Sequence, residues 1–389
     1  MAIRQKAFNC PAFCGLLEVY NNRKAALTEL KGSRKKIVFT VGCDVPEEII
    51  IAAGMVPFPV TGYYGGERHA AEKYLEYSFG AVWKGIFETI AEDYQGLMEH
   101  AVFCSSSDMI LKLFYYFRTL KMTEPERPLP EMIYLDFELV HKVFRTQERN
   151  ERELRDLVQA VERWSGNSVT KAALSGAVRL CNEYRRALRE FCALRGKENC
   201  RVSGSEALVV IGGSMFMEKA AAIEAVRQVT EAAAEWDIID AVRVYYTGSV
   251  QETRELYEIA EANGCNIVGE DHYMGERLFD TDVDSSIDPV KALAARLIGR
   301  MPSSEKGSIR DRVRWLEKEI REKDIEGFLT FMNTNDEAYV WDLPSLKTQV
   351  LEPAGVPELT VQKQKWPLED RESLAAQLAG LARAVREGK

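Results

Sequence analysis

The segment Glu270-Asp271-His272-Tyr273 puts two carboxyl groups, an imidazole and a phenol on four consecutive residues directly after an apolar run. Histidines occur only at 69, 100, 141 and 272. His272 is the one whose neighbours suit proton transfer, because an imidazole changes charge near neutral pH and can also hydrogen-bond a carbonyl. A half-exposed loop histidine is the alternative reading. Asp44, Glu47 and Glu48 follow a second apolar run. Acids in a first helical turn favour the helix dipole, and a carboxylate whose pKa is raised by burial would also serve as a general base. Ser105-Ser106-Ser107-Asp108 stands at a third such place, where capping by Ser107 or Asp108 accounts for the residue types. Thr247-Gly248-Ser249 follows a strand and is read as opening a helix, so its amides could cradle a phosphate, although a glycine there is also ordinary turn geometry. Neither G-x-G-x-x-G nor G-x4-G-K-S/T is present, which removes the usual dinucleotide and P-loop readings. No nucleophile elbow or Ser-His-Asp order can be assembled either.

The eight cysteines stand at 10, 14, 43, 104, 181, 192, 200 and 265. Cys10 and Cys14 are a close pair, but one C-x3-C without a second pair falls short of a zinc site. The others are scattered singly, as buried small hydrophobes usually are. The start lacks the features of a signal peptide, and no uninterrupted apolar run reaches the roughly 18 residues that span a bilayer. The expected setting is cytoplasmic, with reduced thiols.

An alternation of short apolar runs and amphipathic stretches must position these groups. The pattern predicts strands over 37–41, 56–60, 101–104 and 132–135, with helices over 21–31, 47–53, 83–92 and 109–120. Strands separated by helices mean parallel βαβ units. From 151 to 236 the apolar residues recur at three and four spacing and alanine is frequent, so helices alone are expected. Strands then resume over 241–246, 266–269, 327–331 and 358–362. Helices are predicted over 250–263, 290–298, 308–323, 343–352 and 369–386. The expected class is α/β, with two Rossmann-like parallel-sheet domains, 1–150 and 239–389, and a helical domain, 151–238, between them. Ligands of open parallel sheets lie outside the carboxyl ends of the strands. The loops after Val41, Phe103, Tyr246, Gly269 and Phe331 are therefore the expected lining of a cleft between the α/β domains. The run Leu113-Phe114-Tyr115-Tyr116-Phe117 is either one helix's core face or an apolar surface that a dimer covers.

A content of 46% hydrophobic and 29% charged residues is ordinary for a soluble globular protein. The net charge of −9, from 60 acidic and 51 basic residues, argues against nucleic acid or an anionic membrane surface as a partner.

Pro46-Glu47-Glu48-Ile49-Ile50-Ile51-Ala52-Ala53-Gly54-Met55-Val56-Pro57 resembles the P-x-E-L-I-x-A-A-G-M-x-P signature of the 2-hydroxyacyl-CoA dehydratase family, kin of the benzoyl-CoA reductase subunits. Tyr74 to Ser78, Val102 to Asp108, and Gly264 to Arg277 are similar to the segments that carry that family's cluster cysteines. The resemblance runs from about Lys35 to Gln364. It implies a subunit of two α/β domains and a helical one, paired with a related subunit. In the family a 4Fe-4S cluster binds the thioester carbonyl, an activator protein injects one electron using ATP, and a ketyl radical loses the hydroxyl group as water.

At the aligned ligand positions this chain carries Ser78, Ser107 and Tyr273, and hydroxyls are poor substitutes for thiolates on iron. The expectation is therefore a subunit with no cofactor of its own that binds an acyl-CoA thioester or supports a cluster-bearing paralogous subunit, as a heterodimer or homodimer. A 4Fe-4S cluster is then expected only in the partner. Glu47, Glu48, His272 and Tyr273 are the expected catalytic residues, and Ser78, Ser107, Asp108, Gly248 and Ser249 the expected substrate-binding ones. Two alternatives stay open: a stand-alone acid–base acyl-CoA hydratase or dehydratase, and a radical dehydratase whose ligands have moved to Cys43 and Cys104.

Overall fold

The computed structural model describes residues 3–33, 35–62, 68–138, 145–305, 307–336 and 338–388; His141 lies outside them. β1 (Ile37–Val41), β2 (Val56–Pro59), β3 (His100–Cys104) and β4 (Glu131–Leu135) form one sheet in the order β2-β1-β3-β4. β5 (Val242–Gly248), β6 (Cys265–Glu270), β7 (Gly327–Asn333) and β8 (Glu358–Gln364) form a second in the order β6-β5-β7-β8. All pairings are parallel, so the fold is α/β with two Rossmann-like sheets. β1, β6 and β7 are buried along their whole length, as expected of strands covered on both faces. The two sheets share one strand order. In each the order reverses beside the first strand, which opens a crevice at the carboxyl ends.

Four long helices stand between the sheets in the chain: Thr146–Ser165, Lys171–Cys192, Gly204–Ser214 and Lys219–Ala233. Gly204–Ser214 is buried on every side, and a capping box of Ser203 and Glu206 closes its start. Two short helices that the sequence pattern did not mark, Gln5–Phe8 and Pro11–Asn21, sit on this helical layer and not on the first sheet. There the Leu16 backbone abuts Gly213, and Phe13 meets Trp236 edge-on at 6.1 Å. Helix Pro289–Gly299, expected with the second sheet, packs its Leu293 and Leu297 into the core cluster that holds Val38 and Val102 of the first.

The helix expected over 250–263 spans only Glu255–Ala262. Residues 249–254 are instead held as a buried loop, in which Tyr246 Oη and Gln251 Nε2 both donate to the Ser249 carbonyl. The aromatic run lies on helix Asp108–Thr123 and is largely core: Phe117 stacks on Phe87 at 4.7 Å and Phe114 leans on Phe103, while Tyr115 is exposed. Among the described residues no helix is long and apolar enough to cross a membrane.

Candidate functional site

A cavity enclosing about 1470 Å³ of empty space, its open mouth included, lies between the carboxyl ends of the two sheets. β1 delivers its floor. Gly42 has φ +104, and a Cβ there would stand 2.6 Å from the Cys104 thiol. Only glycine allows this close, left-handed turn, which brings Cys43 and Asp44 onto the cavity wall. The Asp44 amide donates to Ser106 Oγ at 3.1 Å, tying the ends of β1 and β3 together.

Arginines from far along the chain face it. Pro289 at the first helical position and the Asp288 cap start helix Pro289–Gly299. Its period puts Leu293, Arg296, Leu297 and then Arg300 on one face toward the cavity. Arg300 Nη1 reaches Asp44 at 2.6 Å and the Cys43 carbonyl at 2.7 Å. Arg277 reaches Asp44 at 3.2 Å and the Cys43 sulfur at 3.4 Å. Burial alone would raise the Asp44 pKa, but Arg277 and Arg300 outweigh it and bring it down to about 2. Helix Lys171–Cys192, capped by Thr170, adds Cys181, Tyr184 and Arg185. Arg185 pairs with buried Glu48, and buried Lys219 pairs with Glu47 at 2.9 Å.

Of the residues expected from the sequence, Glu47, Glu48, Ser107, His272 and Tyr273 line this cavity, whereas Ser78, Asp108, Gly248 and Ser249 do not. Ser78 is exposed with its hydroxyl 3.3 Å from Glu76, because Phe79 beside it is the buried anchor of that turn. Ser107 accepts from the Met109 amide as the helix cap, and Asp108 faces solvent in the first turn. Gly248 ends β5 at φ +131, pressed on the Phe331 carbonyl, with no helix following it. The Thr247-Gly248-Ser249 amides therefore form no helix-terminus cradle for a phosphate.

His272 is committed within the protein. Its Nδ1 accepts from the Met274 amide at 3.2 Å, so Nε2 carries the proton toward Tyr257 Oη at 2.9 Å. Burial, reinforced by Arg195, lowers its pKa to about 3. Tyr273 spends its own proton on the Glu252 carboxylate. Neither residue has a spare donor for a thioester carbonyl. Asp336, at the end of β7, was not marked by the sequence pattern. Burial pushes it up to about 6 against the Ser249 hydroxyl, which donates to it. The arginines were equally silent, apart from Arg277 within the 275–277 Gly-Glu-Arg motif.

The 2-hydroxyglutaryl-CoA dehydratase, D-component family model matches residues 43–381. The chain belongs to this family. It is 22% identical over 346 residues to the (R)-phenyllactyl-CoA dehydratase beta subunit of Clostridium sporogenes, covering 88% of this chain and 90% of that one. It is also 22% identical to the (R)-2-hydroxyglutaryl-CoA dehydratase subunit beta of Acidaminococcus fermentans, covering 87% of this chain and 89% of the relative. A benzoyl-CoA reductase subunit of Thauera aromatica matches at 22% identity over 76% of this chain and 77% of its own length.

The cluster that the dehydratase family implies finds poor donors here. Among the described residues no three side chains of the histidine, cysteine, aspartate or glutamate types converge as a metal site. Cys104 is buried with its sulfur 3.0 Å from Ser106 Oγ, and burial pushes its thiol up to about 12. Burial and Asp44 raise the Cys43 thiol as well. Cys265 starts β6 and lies at the far end of the strand from the cavity. A cluster is held by several converging thiolates, and no such set comes together among the described residues, so the residues present do not fit the group.

Proposed function

We propose that this chain is a subunit of an acyl-CoA dehydratase complex of anaerobic metabolism, located in the cytoplasm, that binds an acyl-CoA thioester in the cavity and holds no 4Fe-4S cluster itself. A cluster-bearing paralogous subunit would supply the redox chemistry in a heterodimer. The observation that carries this reading is the cavity between like ends of two parallel sheets, walled by ion pairs and by the Ser107 and Tyr273 hydroxyls, two of the three residues aligned with the family's cluster cysteines. Its apolar side, with Val82, Trp83, Ile86 and Ile110, suits an acyl chain.

The test is iron and sulfide analysis of anaerobically purified protein, alone and with a co-expressed cysteine-bearing family subunit, alongside calorimetry with butyryl-CoA. Expected are far less than one cluster per chain alone, and ester binding that persists in the complex. Stoichiometric iron and sulfide with an EPR signal after reduction would overturn the cluster-free reading, and no ester binding in either form would overturn the ligand.

One observation favours a second reading, an acid–base hydratase or dehydratase. Asp336 is a cavity carboxyl whose pKa of about 6 suits a general base near neutrality. It would take a proton from the carbon beside the hydroxyl-bearing one while a second acid protonates the departing hydroxide as water. Turnover of hydroxyacyl-CoA by the isolated chain, abolished in Asp336→Asn, would support it.

A further inference from the structure

The edge strands of the two sheets are β2, β4, β6 and β8, and they are not protected alike. The Val56 and Val60 amides donate to the Lys36 and Thr40 carbonyls. The residues of β2 that point away from β1 are therefore Pro57 and Pro59, which have no amide hydrogen to offer another strand. β6 is buried along its whole length. β8 carries Glu358, paired with Lys347 at 2.8 Å, and Lys363 at φ +56. Charges and kinks of this kind discourage further pairing at a sheet edge.

β4 contains no proline and keeps its charges to its ends. The Glu131 amide donates to the Glu99 carbonyl at 2.9 Å, and the Leu135 carbonyl accepts from the Ser105 amide at 3.1 Å. The alternation of the ladder then turns the amide and carbonyl of Met132 and of Tyr134 away from β3. Among the described residues nothing takes either amide. Met132, Ile133 and Tyr134 are half-buried. On one face Phe114 of helix Asp108–Thr123 lies 5.4 Å from Tyr134, with Tyr115 exposed beside it. On the other, Ile133 packs on the core cluster that holds Leu154 and Leu157 of helix Thr146–Ser165.

Charge at the two ends of β4 identifies what fits this edge. Glu131 stands 3.7 Å from Arg163, and Asp136, just past the strand, pairs with Arg149, all of them about half exposed. A two-fold axis at Ile133 would lay a second β4 antiparallel to the first. It would bring the Glu131–Arg163 end of each chain beside the Asp136–Arg149 end of the other. Each acid then meets an arginine of the other copy, the self-complementarity that an isologous interface requires.

We propose that β4 is the edge through which this chain pairs with a second copy of itself, joining two four-stranded sheets into one. The Met132 and Tyr134 amides of each copy donate to the Tyr134 and Met132 carbonyls of the other, as in the hydrogen-bonded pairs of an antiparallel ladder. Met132 packs against the opposing Tyr134, and Ile133 meets Ile133 on the other face. Backbone bonds supply the affinity of such strand addition, and the end charges fix its register. The pairing is independent of the reading of the cavity; where a related subunit is bound as well, it joins two such heterodimers.

The test combines sedimentation equilibrium of the full chain, with any co-purifying subunit, and amide hydrogen exchange of the segment Glu131–Leu135, both across the micromolar range. Expected are two copies of this chain per particle and exchange at Met132 and Tyr134 that slows as association proceeds. Met132→Pro removes an outward amide and leaves the bonds to β3 in place, so it should weaken self-association about 10- to 100-fold with the fold retained. Arg149→Glu with Arg163→Glu should weaken it in low salt and less in high salt. One copy per particle at every concentration overturns the proposal, and so does a folded Met132→Pro that pairs as tightly as the wild type. Protection of the edge only when a related subunit is bound, with one copy of this chain per particle, assigns the edge to that subunit and overturns it too. Should Met132→Pro fail to fold, exchange in the wild type decides: slowing at Met132 and Tyr134 with association sustains the pairing, and unchanged exchange ends it.

Discussion

Replacing Asp44 by asparagine tests whether charge holds the two halves around the cavity. The Asp44 side chain is fully buried, with Arg300 at 2.6 Å and Arg277 at 3.2 Å from it. Burial opposes its ionisation, and the arginines overcome burial to bring the pKa from 3.8 to about 2. At about 1.4 kcal/mol per pKa unit, that shift corresponds to roughly 2.5 kcal/mol of stability at neutral pH. Asparagine keeps the size but leaves both guanidinium groups facing a neutral amide. The expected loss at pH 7 is therefore about 3–5 kcal/mol, the range for a buried pair stripped of one partner. The folded-state pKa lies below the unfolded one, so this stabilisation is whole above about pH 4 and drains away as pH falls toward 2. The gap between wild type and D44N should narrow over the same interval. Urea denaturation at pH 7, 5 and 3, followed by tryptophan fluorescence, measures it. A gap under about 1 kcal/mol at pH 7, or one unchanged at pH 3, would refute the reasoning, since a buried pair cannot be removed so cheaply.

His272 should stay neutral. With its pKa near 3, its imidazole NMR signals should not titrate between pH 8 and pH 5, and a midpoint near 6.5 would contradict the burial argument. Below about pH 6.5 the unfolded chain takes up a proton that the folded one refuses, so stability falls by about 1.4 kcal/mol per pH unit from this group. His272→Asn should flatten that slope. Gly248→Ala places a methyl group on the Phe331 carbonyl at φ +131 and should lower stability by at least about 2–3 kcal/mol. A melting temperature within about 1 °C of wild type, on the order of 1 kcal/mol or less for a chain this long, would show that β5 and β7 can part.

The strands were legible because fully buried parallel strands write themselves as near-continuous hydrophobic runs: Ile37 to Val41 and Gly327 to Phe331 announce β1 and β7 within a residue or two. The cavity's location followed from the rule for strand ends. Its chemistry did not. Asp44 is visible as an acid after a strand, but its arginines stand 233 and 256 residues away, and no local pattern encodes such a pairing. His272 looked reactive because sequence shows residue type and not the hydrogen bonds that use up both ring nitrogens. The loop after β5 was misread as a helix start because Gly248 and Ser249 resemble turn residues, whereas buried side chains, Tyr246 and Gln251 among them, fix it as a loop. The two short helices near the start went unmarked. Their apolar face is recognisable only beside the helices that receive it.

Those helices impose an order on assembly. Arg4 grips Glu206 across 202 residues of chain, and Tyr20 and Arg23 reach the Glu252 carbonyl. At about 5–20 residues per second, a ribosome needs roughly 10–40 s to make the receiving segment after the helices have emerged. During that interval Phe13 and Leu16, both buried in the finished molecule, have no native cover. Their apolar face therefore stays uncovered until the middle of the chain has been made.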